Sequence, residues 1–297
     1  MIQHLVVSHS GGTTNYHYSL EKKKKCLVHL SGVHGVEGHI GLLIQERILQ
    51  EELESLPFQV VIVQIVNPFG FQRSRRTNAN NVDLNRNSLD DYHIPNPHFQ
   101  KINPFLKSGR LRNLGPVMGL LLQHGVSAAV ISAACGQTED SQSLFFAGHE
   151  LQPELVSLRE TLNSLVDPSA ELSILDVHSG LGKYGEESLI IDGFDDETEE
   201  KYFHRIFQRP IVWPGRTRGF YRSEGTLSRL FKRYWKSLHV IQEFGTAPFY
   251  KVLPALIRSQ PEEMVEAFFP KDPHWRQSCV EKGLLRFQQL AQALSSL

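Results

Sequence analysis

Three cysteines in 297 residues (Cys26, Cys135 and Cys279) lie far apart with no CxxC pair. No disulfide framework can be assembled from them, and the count fits free thiols in a reducing compartment. An excess of either charge is also missing: Lys and Arg total 31 against 32 Asp and Glu, for a net charge of -1. This excludes the dominant basic field that a general nucleic-acid or anionic-membrane binder needs. The one basic run, Lys22 to Lys25, precedes an apolar stretch and reads as a solvated turn leading into a strand. The N-terminus MIQHLVVSHSGG has no basic segment followed by an apolar core and a small-residue cleavage site, so no signal peptide is expected. The longest apolar window, Pro116 to Cys135, is broken by Gln123 and His124 and falls short of the roughly 20 residues of a membrane span. A soluble, cytoplasmic protein is expected, with neither nucleic acid nor membrane as partner.

What is present is a globular composition, 40% hydrophobic and 21% charged, with enough chain to bury a sizeable core. Short β-branched runs alternate with longer amphipathic ones, which predicts an α/β layered domain. Strands are expected at Leu5–Ser8, Cys26–Leu30, Gln59–Val66, Ala128–Ala133, Leu172–Val177, Ser188–Ile191 and His239–Glu243. The clearest helix starts near Gly38, where Ile40, Leu43, Ile44, Ile48 and Leu49 recur at helical spacing and Pro57 closes the segment. Others are expected at Glu154–Leu165, Asp196–Phe207, Gly225–Trp235, Glu262–Phe269 and from about Trp275 to Leu294. Asp90 to Gly115, rich in Pro, Asn and His, reads as a long functional loop. No linker divides the chain, so residues 1–297 are expected to form one domain with C-terminal helices from about residue 254.

Chemistry gathers in a few segments that follow or end predicted strands. In HLSGVHGVEGH, His34 and Glu37 stand in a glycine-rich loop that allows an imidazole and a carboxylate to converge. In ILDVHSGLGKYG, His178 ends an apolar strand, at the edge where open α/β sheets place their ligands. Two imidazoles and one carboxylate make the ligand set of hydrolytic zinc sites. His29 and His39 are rival ligands, although strand alternation should turn His29 away and His39 falls inside the helix. The stretch NPFGFQRSRRTNANNVDLNRN gathers Arg73, Arg75, Arg76 and Arg86. Arg73 and Arg75 read as an exposed polar loop, whereas Asn85 and Arg86 are adjacent donors suited to a carboxylate. Glu243, at the end of an apolar strand in VIQEFGT, could serve as a general base beside a metal.

The order HxxE, RTN…VDLNRN, DxHSG and a late strand-end Glu resembles the zinc metallocarboxypeptidase superfamily (carboxypeptidase A-like), in particular a bacterial branch of unassigned function. RTNANNVDLNRN is also similar to the corresponding part of murein peptide amidases. The resemblance spans about Leu27 to Thr246. It implies a mixed, mostly parallel central sheet of about eight strands flanked by helices on both faces, and a single Zn²⁺ held by His34, Glu37 and His178. By the same resemblance Asp83 orients the first histidine, Arg76 polarises the scissile carbonyl, and Asn85 and Arg86 grip a terminal carboxylate. Glu243 becomes the catalytic glutamate, and Tyr221, in YRSEGT, a mobile residue that closes over substrate.

The implied activity is zinc-dependent hydrolysis of a peptide or amide bond next to a free carboxylate, on a small peptide or an acyl amino acid. An N-acyl amino-acid deacylase of the aspartoacylase or succinylglutamate desuccinylase type and an inactive binding protein on the same scaffold are the alternatives. Mn²⁺, Fe²⁺ or Co²⁺ also suit such a ligand set.

Overall fold

The computed structural model describes residues 2–93, 95–96, 99–100, 103, 135–180, 182–191, 197–214, 217, 223–247 and 249–296. Among these residues seven strands are present, β1 (Ile2–His9), β2 (Gly12–Ser19), β3 (Lys25–Ser31), β4 (Gln59–Gln64), β5 (Glu171–Gly180), β6 (Glu187–Ile190) and β7 (Lys236–Gly245). They form one sheet in the order β1-β2-β4-β3-β5-β7-β6. The inner four, β4, β3, β5 and β7, run parallel, and antiparallel partners close both edges. The inner strands read as nearly unbroken apolar runs because both of their faces are covered. The expected strand Ala128–Ala133 lies outside the described residues, as does most of Asp90–Gly115.

β2 escaped the sequence reading because its outward positions are polar: in GTTNYHYS only Thr14 and Tyr16 are buried. It folds back on β1 through a tight turn at Ser10 and Gly11.

The helices are α1 (Gly38–Ile48), α2 (Pro68–Gln72), α3 (Pro153–Leu165), α4 (Glu197–Phe207), α5 (Leu227–Tyr234), α6 (Phe249–Arg258), α7 (Pro261–Phe268) and α8 (Pro273–Ser295). α1 stops at Ile48 rather than continuing toward Pro57. Bonds from Gln50 to Arg47 and from Glu51 to Ile48 tighten its end, and the chain turns to bury Leu53. The sequence reading missed α6, whose Pro254 reads as a helix breaker.

One face of the sheet, with Leu27, Ile62, Leu175 and Val240, packs on Ile40 and Ile44 of α1 and Phe287 and Leu290 of α8. The other, with Val28, Val61 and Ile174, packs on Leu158 and Leu162 of α3 and Leu230 and Phe231 of α5. Each such side chain, fully buried, contributes about 1.5–3 kcal/mol, which holds the parallel strands rigid beneath the loops at their C-terminal ends. No helix among the described residues is long and apolar enough to cross a membrane. Cys26, Cys135 and Cys279 form no disulfide among the described residues.

Candidate metal centre

β3 ends at Ser31, and the loop after it carries His34 into a single 3₁₀ turn (Gly35–Glu37) that leads straight into α1. The backbone at Gly35 runs against the Gly70–Phe71 peptide. A Cβ at Gly35 would lie 2.2 Å from the Gly70 carbonyl carbon, so this crossing requires glycine. Gly35→Ala is therefore expected to destabilise the fold by about 1–3 kcal/mol through overpacking, and to weaken metal binding because the displaced turn carries His34 and Glu37. Urea unfolding and metal titration check this; wild-type values in both would show that the turn can shift freely.

His178 lies two residues inside the end of β5, which runs on to Gly180, and Glu243 likewise lies inside β7 rather than at its end. The parallel register pairs His178 with Glu243, placing both side chains on one face of neighbouring strands. Gly180, at φ +138°, lets Phe268 approach to 2.8 Å of where a Cβ would sit, and Glu243 Oε1 to 3.8 Å.

Donor atoms of His34, Glu37 and His178 meet in the buried space between these elements, all within 4.8 Å of one another. His34 Nδ1 is 2.9 Å from Glu37 Oε1, His178 Nδ1 is 3.0 Å from Glu37 Oε2, and the two Nδ1 atoms are 3.2 Å apart. Each ring turns its Nε2 to a carboxylate: His34 to Asp83 Oδ1 at 3.0 Å, His178 to Asp176 Oδ2 at 3.1 Å. A proton on each Nε2 leaves both Nδ1 lone pairs facing inward. Such lone pairs and a carboxylate converging in a buried space repel unless a cation lies among them, either a metal ion or, in its absence, a proton held between His178 Nδ1 and Glu37. The observed separations are close to the roughly 3.3 Å between neighbouring ligands in a tetrahedral zinc site with bonds of about 2.0–2.1 Å. The residues therefore fit a divalent ion.

Charge points the same way. Glu37, Asp83, Asp176 and Glu243 are all buried; Arg76 pairs with Glu37 and Asp83, and a cation among the converging donors would add to that compensation. Burial alone would raise Asp83, but Arg76, His34 and Arg86 hold it well below the usual carboxylate range. Glu37 is likewise held low against burial by His34 and His178. Burial would lower His178, yet Asp176 and Glu37 hold its pKa well above the usual imidazole value.

Asp83 joins two functions. While Oδ1 accepts from His34, Oδ2 accepts from Arg76 Nε at 2.9 Å, and Arg76 Nη1 reaches Glu37 Oε1 at 3.1 Å. Asp83 also caps the short turn Leu84–Arg86 through the Asn85 N–H. Asn85 Oδ1 accepts from the Leu227 N–H at 2.9 Å, which fixes the amide against the start of α5 and turns its NH₂ the other way. Arg86 is buried and donates to the Asn85 carbonyl at 2.6 Å.

The remaining candidates are placed elsewhere. His29 points to the opposite face of the sheet, against Phe287, with Gln45 3.1 Å from its Nδ1; burial pushes its pKa down to about 4. His39 is sandwiched between Phe71 and Phe269. Arg73 lies exposed over the Phe69 ring, and Arg75 ties Thr77 and Asn81 within its own loop. Tyr221 lies outside the described residues. Asp176 was missed as a participant, although the D-x-H spacing puts it on the same face of β5 as His178.

A family model described as "Protein of unknown function (DUF2817)" matches residues 16–282. No curated protein sequence matches at a significant level. Among solved structures, carboxypeptidase A from Helicoverpa armigera is similar over 98% of this chain and 69% of its own, at 14% identity and a TM-score of 0.51. Thrombin activatable fibrinolysis inhibitor (TAFI) is similar over 100% and 70%, at 11% identity and a TM-score of 0.53. Murein-tripeptide amidase MpaA from Escherichia coli O157 aligns over 91% and 93%, at 17% identity and a TM-score of 0.49. The first two establish the fold as carboxypeptidase-like.

Proposed function

The chain belongs to the DUF2817 family, and on that footing we propose that it is a zinc-dependent hydrolase, one catalytic domain that cleaves a peptide or amide bond next to a free carboxylate. The observation that carries the reading is the convergence of His34 Nδ1, His178 Nδ1 and both Glu37 oxygens at 2.9–3.2 Å with Glu243 in register beside His178. His34, Glu37 and His178 would hold a divalent ion, which would supply Lewis acidity and would lower the pKa of a water to about 7.

The rest of the chemistry belongs to the chain. Glu243 takes the proton of the attacking water and delivers it to the leaving nitrogen. Arg76, steadied by Asp83 and Glu37, donates to the oxyanion that develops on the scissile carbonyl, a contribution of about 3–4 kcal/mol for a well-placed donor. Asn85 offers its NH₂, and Arg86 its guanidinium, to the substrate's carboxylate.

The test is a panel of short peptides, muropeptides and N-acyl amino acids, assayed with zinc-loaded and chelator-treated protein. Metal-dependent release of a product bearing the free carboxylate supports the reading. Turnover of N-acyl amino acids alone would assign it to deacylation, and no turnover of any amide by loaded protein would overturn it. With the substrate so identified, Arg86→Ala is expected to raise KM by about 10-fold or more, the loss of a charge-assisted contact of 1.5–3 kcal/mol. A much smaller effect on the same compound with its carboxylate amidated checks the cause. Equal losses on both compounds would remove Arg86 from carboxylate recognition.

A further inference from the structure

The metal centre accounts for His34, Glu37 and His178 but not for a second group of polar residues packed behind it. Asp176 is fully buried, and neither of its carboxylate oxygens makes a directional hydrogen bond among the described residues. His239, buried on the next strand, has both ring nitrogens in the same condition, as does His178 Nε2. Buried polar groups normally find hydrogen-bond partners, and a bare buried charge is costly. These three have one another: Asp176 Oδ2 lies 3.1 Å from His178 Nε2 and 3.5 Å from His239 Nε2. Sheet register brings them together. β5 and β7 pair Ile174 with His239, Asp176 with Ile241 and His178 with Glu243, so alternate residues of both strands share one face.

We propose that Asp176, backed by His239, positions His178 for the metal. The proposal rests on the reading that His34, Glu37 and His178 hold the ion. Asp176 keeps the ring proton on Nε2 and turns Nδ1 toward Glu37 and His34, as Asp83 does for His34 across the site. The 3.1 Å contact between Asp176 and His178 lacks hydrogen-bond direction. His239 supplies what is missing: from the adjacent strand it shares the same carboxylate oxygen and prevents Asp176 from rotating away.

His239 is itself held firmly. Its backbone N–H donates to Glu199 Oε1 at 2.9 Å, Lys232 pairs with Glu199 Oε2 at 2.7 Å, and the Phe231 ring meets the imidazole edge-on. α4 and α5 are thereby fastened to β7 at this residue. Each metal-facing imidazole thus has its own carboxylate, one reaching it from the arginine-bearing loop and the other from within the sheet.

The experiment measures zinc affinity by competition with a chelating dye for the wild-type chain and for D83N, D176N and H239Q, then records the visible d–d bands of each at saturating cobalt. The bands report ligand geometry at full occupancy, which a merely structural role would leave unchanged. D176N is expected to bind zinc about 10–100-fold more weakly, comparable to D83N. H239Q, acting through Asp176, is expected to lose on the order of 3–10-fold. Both should shift the cobalt bands. Wild-type affinity within twofold and unchanged bands in D176N and H239Q would overturn the proposal while leaving the metal centre standing. Failure of the wild-type chain to bind zinc would instead overturn the centre itself. If D176N does not fold by circular dichroism, H239Q alone decides on the same criteria.

Discussion

Glu243→Gln is expected to lower kcat/KM by about 10²–10⁴-fold, the range for loss of a positioned general acid–base group, with one zinc per chain still bound. Glutamine keeps the volume and much of the hydrogen bonding of glutamate but cannot take a proton. Glu243 is 9% exposed and stands beside His178 across the β5–β7 pair, close to the site without belonging to the converging donor set. Its loss should therefore appear in turnover and not in metal content. Glu243→Asp, which retains the charge and withdraws it by one methylene, should recover part of the rate, because proton transfer needs the carboxylate within hydrogen-bond reach. Metal analysis and steady-state kinetics on the same preparations separate the two effects. Near-wild-type turnover in E243Q would move the general base elsewhere.

The sequence and the structure agree where the local pattern carries the information. β3 and β5 are apolar runs, so the polar residues that interrupt or follow them, His34, Glu37 and His178, stand out against a buried background, and their glycines mark the turn that brings them together. Asn85 and Arg86 were legible as donors, but not what fixes them. The bond from the Leu227 N–H to Asn85 Oδ1 spans 142 positions in the chain, and nothing local announces it. Asp176 and His239 were hidden for a different reason. Both sit inside strands where a polar residue is equally well read as a satisfied core group, and only the register of β5 on β7 reveals that they meet. β2 and α6 failed at the level of periodicity, one because its outward face is polar and the other because it contains Pro254.

His178→Ala is expected to weaken zinc by more than the 10–100-fold typical of losing an outer partner, and to bring hydrolysis to background. The consequence for stability depends on pH. In the metal-free protein the pKa of His178 is held well above its usual value by Asp176 and Glu37, against the effect of burial. Its contribution to stability is therefore complete below about pH 6.5, the unfolded value, and is lost as pH rises through the raised folded one. Asp83, held low by Arg76, His34 and Arg86 against burial, behaves oppositely. Its contribution is present above about pH 4, near the unfolded value, and is lost as pH falls toward the depressed folded value. Zinc needs the His178 Nδ1 lone pair, so binding expels the proton that stabilises the metal-free form, and affinity rises with pH. Zinc at 100 times its dissociation constant adds about 2.7 kcal/mol. At a fixed zinc concentration the increase in Tm should therefore be larger at pH 8 than at pH 6, and nearly absent in H178A at both. Equal increases at the two pH values, or a full increase in H178A, would mean that the ion binds without displacing a proton from His178.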